Sequence, residues 1–160
     1  MKKSQELIRL LALEPHPEGG YFKETFRSPL KIHSPVVDDA RHAMSDIYFM
    51  LTAGQVSRFH QVKHDELWNY YEGAPLRLYD YDADNDELKT IIIGPVPECE
   101  TYKYVIAAHH WQAAESLGDY TLVGCTVAPG FDFHDFRFFE NNSCSKKQLI
   151  SKHPNLARFI

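Results

Sequence analysis

The sequence predicts an all-β protein, a closed or sandwiched antiparallel β-barrel with a short helix near each terminus. Between residues 21 and 139, short strand-like segments recur at spacings of about ten residues, which is typical of such barrels. Turn residues separate them, and no helical pattern interrupts them. The 10 Phe and 9 Tyr also favour strands over helices. The 160 residues suit one core and contain no linker or repeat, so a single domain over residues 1–160 is predicted.

The two ends of the chain carry helical patterns, and the first strand follows the N-terminal one. Ser4 can cap a helix with an apolar stripe of leucines and isoleucine, which stops at the first prolines. Residues 21–27 alternate, which places Phe22, Glu24 and Phe26 on one face of the first strand.

The remaining elements are predicted from turn chemistry and apolar runs. Residues 30–43 are turn-like and charged. A helical pattern returns from Ser145 to Ile160. Between them, the predicted strands are 46–52, 56–62, 66–72, 76–81, 88–93, 101–106, 110–115, 120–127 and 131–139.

Charge and cysteine content exclude several classes of function. The formal net charge is −5 and Lys and Arg do not cluster, which disfavours binding to nucleic acid or to an anionic membrane. The three cysteines form no C-x-x-C pair, which argues against a disulfide framework and a thiolate zinc site. Arg9 and Glu14 interrupt the N-terminal apolar residues, and no run reaches transmembrane length. We therefore expect a cytoplasmic protein.

Five positions have the spacing of a metal-binding barrel motif, G-x5-H-x-H-x3-E-x6-G. They are Gly54, His60, Val62, Glu66 and Gly73, and the one departure is Val62 in place of the second histidine. Alternate residues of a strand face the same side, so positions 60 and 62 should both face the barrel interior. Val62 cannot ligate a metal there.

The chain resembles the cupins, which are small jelly-roll barrels, and within them the fifth cupin family, a domain of unknown function. Three segments carry the resemblance and, with the C-terminal helix, cover most of the chain: Gly19–Arg27, Arg58–Trp68 and Val123–Phe133. It implies a cupin jelly-roll β-barrel, also called a double-stranded β-helix, and a homodimer. It implies no particular activity.

The resemblance also bears on metal binding. Metal-binding cupins take two histidines and a glutamate from the first motif and a histidine from a second motif, P-x-G-x-x-H. The second motif falls on residues 107–112 here, which puts Gln112 in the place of its histidine. His60, Glu66 and Gln112 remain as weak candidate ligands, with His64 or His110 as possible replacements. We expect no metal cofactor, and a divalent-metal enzyme is the alternative.

His60 and Glu66 are the candidate catalytic residues. If strands 56–62 and 66–72 are neighbours, both side chains project inward, where a carboxylate raises the basicity of an imidazole. Such a pair serves as a general base or acid. A histidine that is merely hydrogen-bonded in the core is the structural alternative.

Residues 20–26 also resemble the G-x-F-x-E-x-F strand of the dTDP-sugar 3,5-epimerases, which are metal-independent cupins with a histidine base and a tyrosine acid. The similarity is partial, because the arginine before the histidine, Arg58, is one position nearer than in the epimerases. Tyr48 and Tyr70 are candidates for the acid. The carboxylate that would orient His60 is not identified by the sequence.

A further set of side chains is predicted to line a ligand site, because most share the inward parity and combine aromatic with polar groups. Packing inside the barrel is the alternative for the aromatic residues, and solvation is the alternative for the two arginines, which could otherwise anchor a phosphate or carboxylate. The candidates are Phe22, Glu24, Arg27, Arg58, Trp68, Tyr70 and Gln112.

Two other features are assigned structural roles. Residues 131–136 hold His134 between two aspartates, but their alternating phenylalanines favour a strand with one buried face. Cys125 lies in an apolar strand, where a buried thiol is inert.

The leading hypothesis is a cytoplasmic homodimeric cupin that binds a small polar metabolite, such as a sugar or nucleotide-linked sugar, inside the barrel. The sequence does not decide whether it is an enzyme. If it is, metal-free isomerisation or epimerisation with His60 as the base is the favoured chemistry. The alternatives are a metal-dependent cupin enzyme and a non-catalytic binding protein.

Overall fold

Thirteen strands and two α-helices make up the computed structural model, which describes residues 2–139 and 143–160. The helices are α1 (Lys3–Leu10) and α2 (Cys144–Lys152), and two 3-10 helices cover Phe133–Asp135 and Pro154–Phe159. The strands are β1 (Glu14–Pro15), β2 (Tyr21–Arg27), β3 (Lys31–Ser34), β4 (Asp39–His42), β5 (Ser45–Thr52), β6 (Val56–Val62), β7 (Asp65–Gly73), β8 (Leu76–Asp82), β9 (Glu87–Ile93), β10 (Lys103–Ile106), β11 (Trp111–Ser116), β12 (Tyr120–Ala128) and β13 (Phe136–Phe138).

Two antiparallel sheets enclose the core, which confirms the all-β jelly-roll prediction. One has the order β1-β2-β5-β12-β7-β10 and the other has the order β13-β6-β11-β8-β9. Buried side chains from both sheets meet between them, among them Phe49 and Trp68 from the first and Leu78 and Ile93 from the second. The aromatic and β-branched content of the chain therefore fills the space between the sheets.

Strands β6 and β7 lie in different sheets, so the expectation that they are neighbours is wrong. Strand β6 pairs with β11 and β13, whereas β7 pairs with β10 and β12. Residues 63 and 64 cross from one sheet to the other. His60 and Glu66 therefore reach the interior from opposite walls of the barrel.

A β-bulge in β2 changes which side chains face inward. Glu24 pairs with Ile47 and Phe26 pairs with Asp46, so Thr25 is the extra residue. The predicted alternation of residues 21–27 fails beyond this point. Phe26 is 47% exposed. The bulge instead puts Arg27 on the same side as Glu24.

Two predicted segments have a different structure. Residues 30–43, predicted as turn-like, contain the hairpin of β3 and β4. Residues 131–135, predicted as part of a strand, form a loop and a 3-10 turn, and only Phe136–Phe138 is extended. The Asp132 side chain accepts a hydrogen bond from the backbone N–H of His134, which caps the turn and prevents strand pairing there.

The helices cover the outer faces of the sheets. Leu7 of α1 packs with Leu13, Met50 and Leu122 on the six-stranded sheet. Leu149 of α2 joins the cluster on the five-stranded sheet. Helix α1 starts one residue before Ser4, so this residue is buried within the first turn and does not cap the helix. Within the described residues, neither α-helix combines the length and apolarity that a bilayer crossing needs.

A tight turn over residues 16–20 packs against β6 and carries Glu18 into the barrel. The backbone N–H of Arg58 donates to the Glu18 carbonyl at 2.8 Å. Gly19 has φ of +114°, and a Cβ at this position would lie 2.1 Å from the Val56 carbonyl oxygen. Only glycine allows this approach without moving the turn.

Gly19→Ala is expected to destabilise the protein by several kcal/mol more than Gly54→Ala. Both glycines have positive φ, which costs an alanine roughly 1–2 kcal/mol, but a Cβ at Gly54 would meet no atom within 4 Å. Urea unfolding of both variants measures the difference. Equal losses would show that the close approach to β6 is not a tight constraint.

Candidate functional site

A cavity of about 480 Å³ lies between the two sheets. Its wall combines phenylalanine rings with four buried ionisable groups. The rings belong to Phe22, Phe49, Phe131, Phe133 and Phe136, and the ionisable groups are those of His16, Glu18, His60 and Glu66. An apolar cavity with a few convergent polar groups is the usual form of a small-molecule site.

The contact between Glu18 and His60 is the centre of the site. Glu18 Oε2 lies 3.2 Å from His60 Nε2, and both side chains are less than 10% exposed. His60 Nδ1 lies 2.8 Å from the Arg58 carbonyl oxygen. Because a carbonyl only accepts, Nδ1 carries a proton and Nε2 is the nitrogen that faces Glu18. The contact is favourable only if one further proton lies between the two groups.

Further contacts hold the Glu18 carboxylate in place. Ser57 donates its hydroxyl to Glu18 Oε1 at 2.8 Å, and the backbone N–H of Glu18 donates to His16 Nδ1 at 3.3 Å. Burial raises the pKa of Glu18, and the nearby His16 opposes the rise. Burial lowers the pKa of His60, against the negative charge of Glu66. Burial therefore disfavours the charged form of both groups, which favours a protonated Glu18 beside a neutral His60.

Glu66 faces the same cavity and is oriented by a relay of two side chains. The Trp68 indole N–H donates to Gln112 Oε1 at 2.8 Å, which turns the amide so that Gln112 Nε2 donates to Glu66 Oε2 at 2.5 Å. Burial raises the pKa of Glu66 to about 7, against the opposing effect of His60. Glu66 therefore changes its protonation state near neutral pH.

The described residues do not fit the metal centre of metal-binding cupins. Val62 and Gln112 replace two of the four ligands. His60 uses Nδ1 for a backbone carbonyl and faces Glu18 with Nε2. Within residues 2–139 and 143–160, no three His, Cys, Asp or Glu side chains are arranged to hold a metal ion together.

The structure brings five predicted site residues together at the cavity: Phe22, Glu24, Arg27, His60 and Glu66. The other four lie outside its wall. Arg58 donates to the Pro17 carbonyl and lies over the Phe138 ring. Trp68 is in the core, and Gln112 reaches the site only through Glu66. The Tyr70 hydroxyl donates to the Gly73 carbonyl at the end of β7.

The candidate tyrosines and replacement histidines are also elsewhere. Tyr48 packs with the α1 cluster, and no tyrosine belongs to the described wall of the cavity. His64 lies 2.7 Å from the Ser34 hydroxyl, and His110 lies 2.7 Å from Asp80. Cys125 does line the cavity, where burial raises the pKa of its thiol.

The sequence interpretation missed His16 and Glu18. Both lie in the segment before β2 that was interpreted only as the end of the first helix. The available signal was an acidic residue directly before Gly19 and Gly20, since paired glycines mark a close approach of the backbone. The fold then places that acid beside His60.

Comparison with known proteins identifies the fold and the family of the chain, but the following three similar proteins are not described by any activity. A family model described as the cupin superfamily (DUF985) matches residues 5–139. A hypothetical protein from Leishmania major is 30% identical with a TM-score of 0.82, over 99% of this chain and 97% of that one. A solved structure from Shewanella oneidensis is 30% identical with a TM-score of 0.80, over 97% and 92%. The uncharacterized protein YML079W of Saccharomyces cerevisiae is 28% identical over 152 residues, which cover 85% of this chain and 75% of that protein.

Glu66→Gln is expected to change stability in a pH-dependent way. Relative to the wild type, the variant should be more stable at alkaline pH than at acidic pH. Since the folded pKa of Glu66 is raised to about 7, its contribution to stability is full below the ordinary carboxyl pKa and is lost as the pH rises through 7. The loss is about 3 kcal/mol, since the pKa rises from 4.5 to about 7 and each unit corresponds to about 1.4 kcal/mol. The amide can still accept from Gln112. Urea unfolding at pH 5 and at pH 8 gives the free energy of unfolding of the variant and of the wild type. The difference between the two proteins is then compared at the two pH values.

The matched control is Glu87→Gln, which neutralises an exposed carboxylate of β9. Its free energy of unfolding should depend on pH in nearly the same way as that of the wild type. Parallel profiles for wild type and Glu66→Gln would contradict the raised pKa of Glu66.

Proposed function

The chain belongs to the cupin superfamily, in its family of unknown function DUF985, and we propose that its barrel binds a small polar metabolite and transfers protons to and from it without a metal. The supporting observation is the set of buried groups Glu18, His60 and Glu66 in one open cavity. Structural groups of this kind are normally paired or solvated. These three have such partners, and all of them also face a space large enough for a ligand.

The two walls of the cavity supply complementary proton carriers. The Glu18–His60 pair on one wall holds a shared proton, and Glu66 on the other accepts or gives up a proton near neutral pH. One group can remove a proton while the other donates, which is the requirement for epimerisation or isomerisation. Because His60 Nδ1 is bonded to the Arg58 carbonyl and Nε2 faces Glu18, the pair acts as one unit: Glu18 exchanges the proton with the ligand, and His60 Nε2 takes up or returns it.

A carbon atom next to a carbonyl is the matching reaction centre. The base removes its proton, and the electron pair of the broken C–H bond passes to the carbonyl oxygen as an enolate forms. Return of a proton to the opposite face of the same carbon gives the epimer. Where that carbon bears a hydroxyl group, protonation of the enolate oxygen gives an enediol, and loss of the hydroxyl proton with protonation of the former carbonyl carbon gives the isomer. No oxidant or reductant is consumed. A sugar or nucleotide-linked sugar with a carbonyl group meets this requirement.

Two further expectations accompany this proposal on the strength of the family resemblance and the composition. They are a homodimeric assembly and a cytoplasmic location. Neither is needed for the cavity to hold its ligand, because the groups described above all come from one chain.

Non-catalytic binding is the second candidate. It is favoured by one observation, namely that no tyrosine belongs to the described cavity wall, although the epimerases that the sequence resembles use a tyrosine acid. In this case the cavity would retain a metabolite unchanged.

His60→Gln is expected to lower proton exchange on a bound carbonyl compound by about a hundredfold or more, as for loss of a general base. The wild type and the variant are incubated in D2O with a panel of ketoses and nucleotide-linked keto sugars. Loss of C–H signals is followed by proton NMR, and the retained compound is identified by mass spectrometry after gel filtration.

The control is His33→Gln, because His33 lies on the exposed β3–β4 hairpin. Its exchange rate should equal that of the wild type. Retention of a compound by the wild type without exchange would establish the non-catalytic alternative. Equal exchange by wild type and His60→Gln would exclude His60 as the proton carrier.

A further inference from the structure

The guanidinium of Arg27 is fully paired with groups of the protein itself. Its Nε lies 3.1 and 3.2 Å from the two carboxylate oxygens of Glu24, and its Nη2 donates to Glu24 Oε2 at 2.7 Å. Its Nη1 donates to the Phe131 carbonyl at 2.9 Å. All three nitrogens of the guanidinium therefore have partners.

This pairing exists because of the bulge at Thr25. In a regular strand, residues three apart face opposite sides of the sheet. The extra residue brings Glu24 and Arg27 to the same side, at the cavity. Arg27 is 31% exposed and Glu24 is 43% exposed. The pair therefore lies where an entering ligand would meet it.

No second cation compensates for this pairing. Within the described residues, Arg27 is the single Lys or Arg in the cavity wall. The carboxyl groups of Glu18, Glu66 and Asp132 line the same wall, together with four histidines. Burial lowers the pKa of both His16 and His60, which favours their neutral forms. His42 Nδ1 lies 2.6 Å from the Ser28 carbonyl oxygen, and His134 Nδ1 lies 2.7 Å from Asp132. A phosphate or carboxylate would therefore meet several acidic groups and no lysine or arginine that is free of a carboxylate.

The same wall suits a molecule that donates hydrogen bonds. Gln112 Nε2 and the Cys125 thiol donate to Glu66, and they use two of the roughly four lone-pair sites of its carboxylate. The phenylalanine rings provide flat apolar surface along the cavity. Hydroxyl groups on a ring would bond to the carboxylate, and the apolar faces of the ring would pack against the phenylalanines.

We propose that Glu24 excludes anionic ligands by occupying Arg27, so that the cavity takes an uncharged, hydroxyl-bearing ring molecule that carries no phosphate or carboxylate. This proposal rests on the proposed function in one respect, that the cavity is the ligand site. It makes Glu24 a specificity-determining residue. Among the sugars considered above, it selects free sugars over phosphorylated and nucleotide-linked ones.

Inorganic phosphate tests the role of Glu24 without knowledge of the natural ligand. Glu24→Gln preserves the shape of the side chain and removes the carboxylate bonded to Arg27, which leaves Asp132 as its remaining acidic neighbour. We expect phosphate affinity to rise by about tenfold or more in this variant, measured by calorimetry and by the thermal unfolding midpoint at constant ionic strength. The wild type should show little phosphate binding.

The double variant Glu24→Gln with Arg27→Gln is the matched control, and it should lose the gained affinity. If the double variant kept the increased phosphate affinity, the phosphate would not be bound by Arg27, and the proposal would be overturned. The absence of a gain in Glu24→Gln, or phosphate binding by the wild type as tight as by the variant, would also overturn it.

A panel of neutral monosaccharides and the corresponding sugar 1-phosphates tests the ligand class. We expect the neutral sugars to raise the unfolding midpoint of the wild type. The sugar phosphates should raise the midpoint only of Glu24→Gln. Stabilisation of the wild type by the phosphates, or by no member of the panel, would overturn the ligand class. Failure of the proposed function would be distinguishable from failure of this proposal. In that case neutral sugars would bind, but their C–H protons would not exchange in D2O.

Discussion

A carboxylate and an imidazole buried against each other, Glu18 and His60, are the constraint on which the site depends. Both are removed from water, and burial disfavours the charged form of each, against the effect of His16 on Glu18 and of Glu66 on His60. Placing them 3.2 Å apart is favourable with one proton between them and unfavourable with none. One proton between the two groups therefore satisfies both of them inside a largely apolar cavity, which is an arrangement that catalytic sites exploit.

The fold supplies this arrangement from parts that are distant in the sequence. The glycine turn before β2 brings Glu18 to the inner face of β6, and the crossing between β6 and β7 puts Glu66 on the opposite wall. The place of a metal-ligating histidine is taken by Gln112, which links Trp68 to Glu66 by hydrogen bonds. Where metal-binding cupins hold a cation, this protein therefore has two carboxyl groups, Glu18 and Glu66, held in place by hydrogen bonds. The consequence is a cavity suited to proton transfer, with Arg27 neutralised at its wall by Glu24.

Most of the fold could be predicted from the sequence, because strand alternation and turn chemistry are local signals. Strand β6 was predicted with its observed ends, and His60 with Val62 was predicted to face the interior. The bulge at Thr25 could not be predicted, since its register depends on the pairing of β2 with β5. The partner of His60 was missed for a similar reason. Glu18 is more than forty positions away, and only the packing of its turn against β6 brings the two together.

The protonation of the His60 ring tests this account most directly. Nitrogen-15 NMR of histidine-labelled protein, with Glu18→Gln to assign the signal, reports which ring nitrogen carries hydrogen between pH 5 and pH 9. We predict that Nδ1 stays protonated throughout, and that Nε2 shows a strong hydrogen bond which weakens in Glu18→Gln. A neutral ring protonated at Nε2 alone, with a spectrum that Glu18→Gln leaves unchanged, would contradict the shared proton.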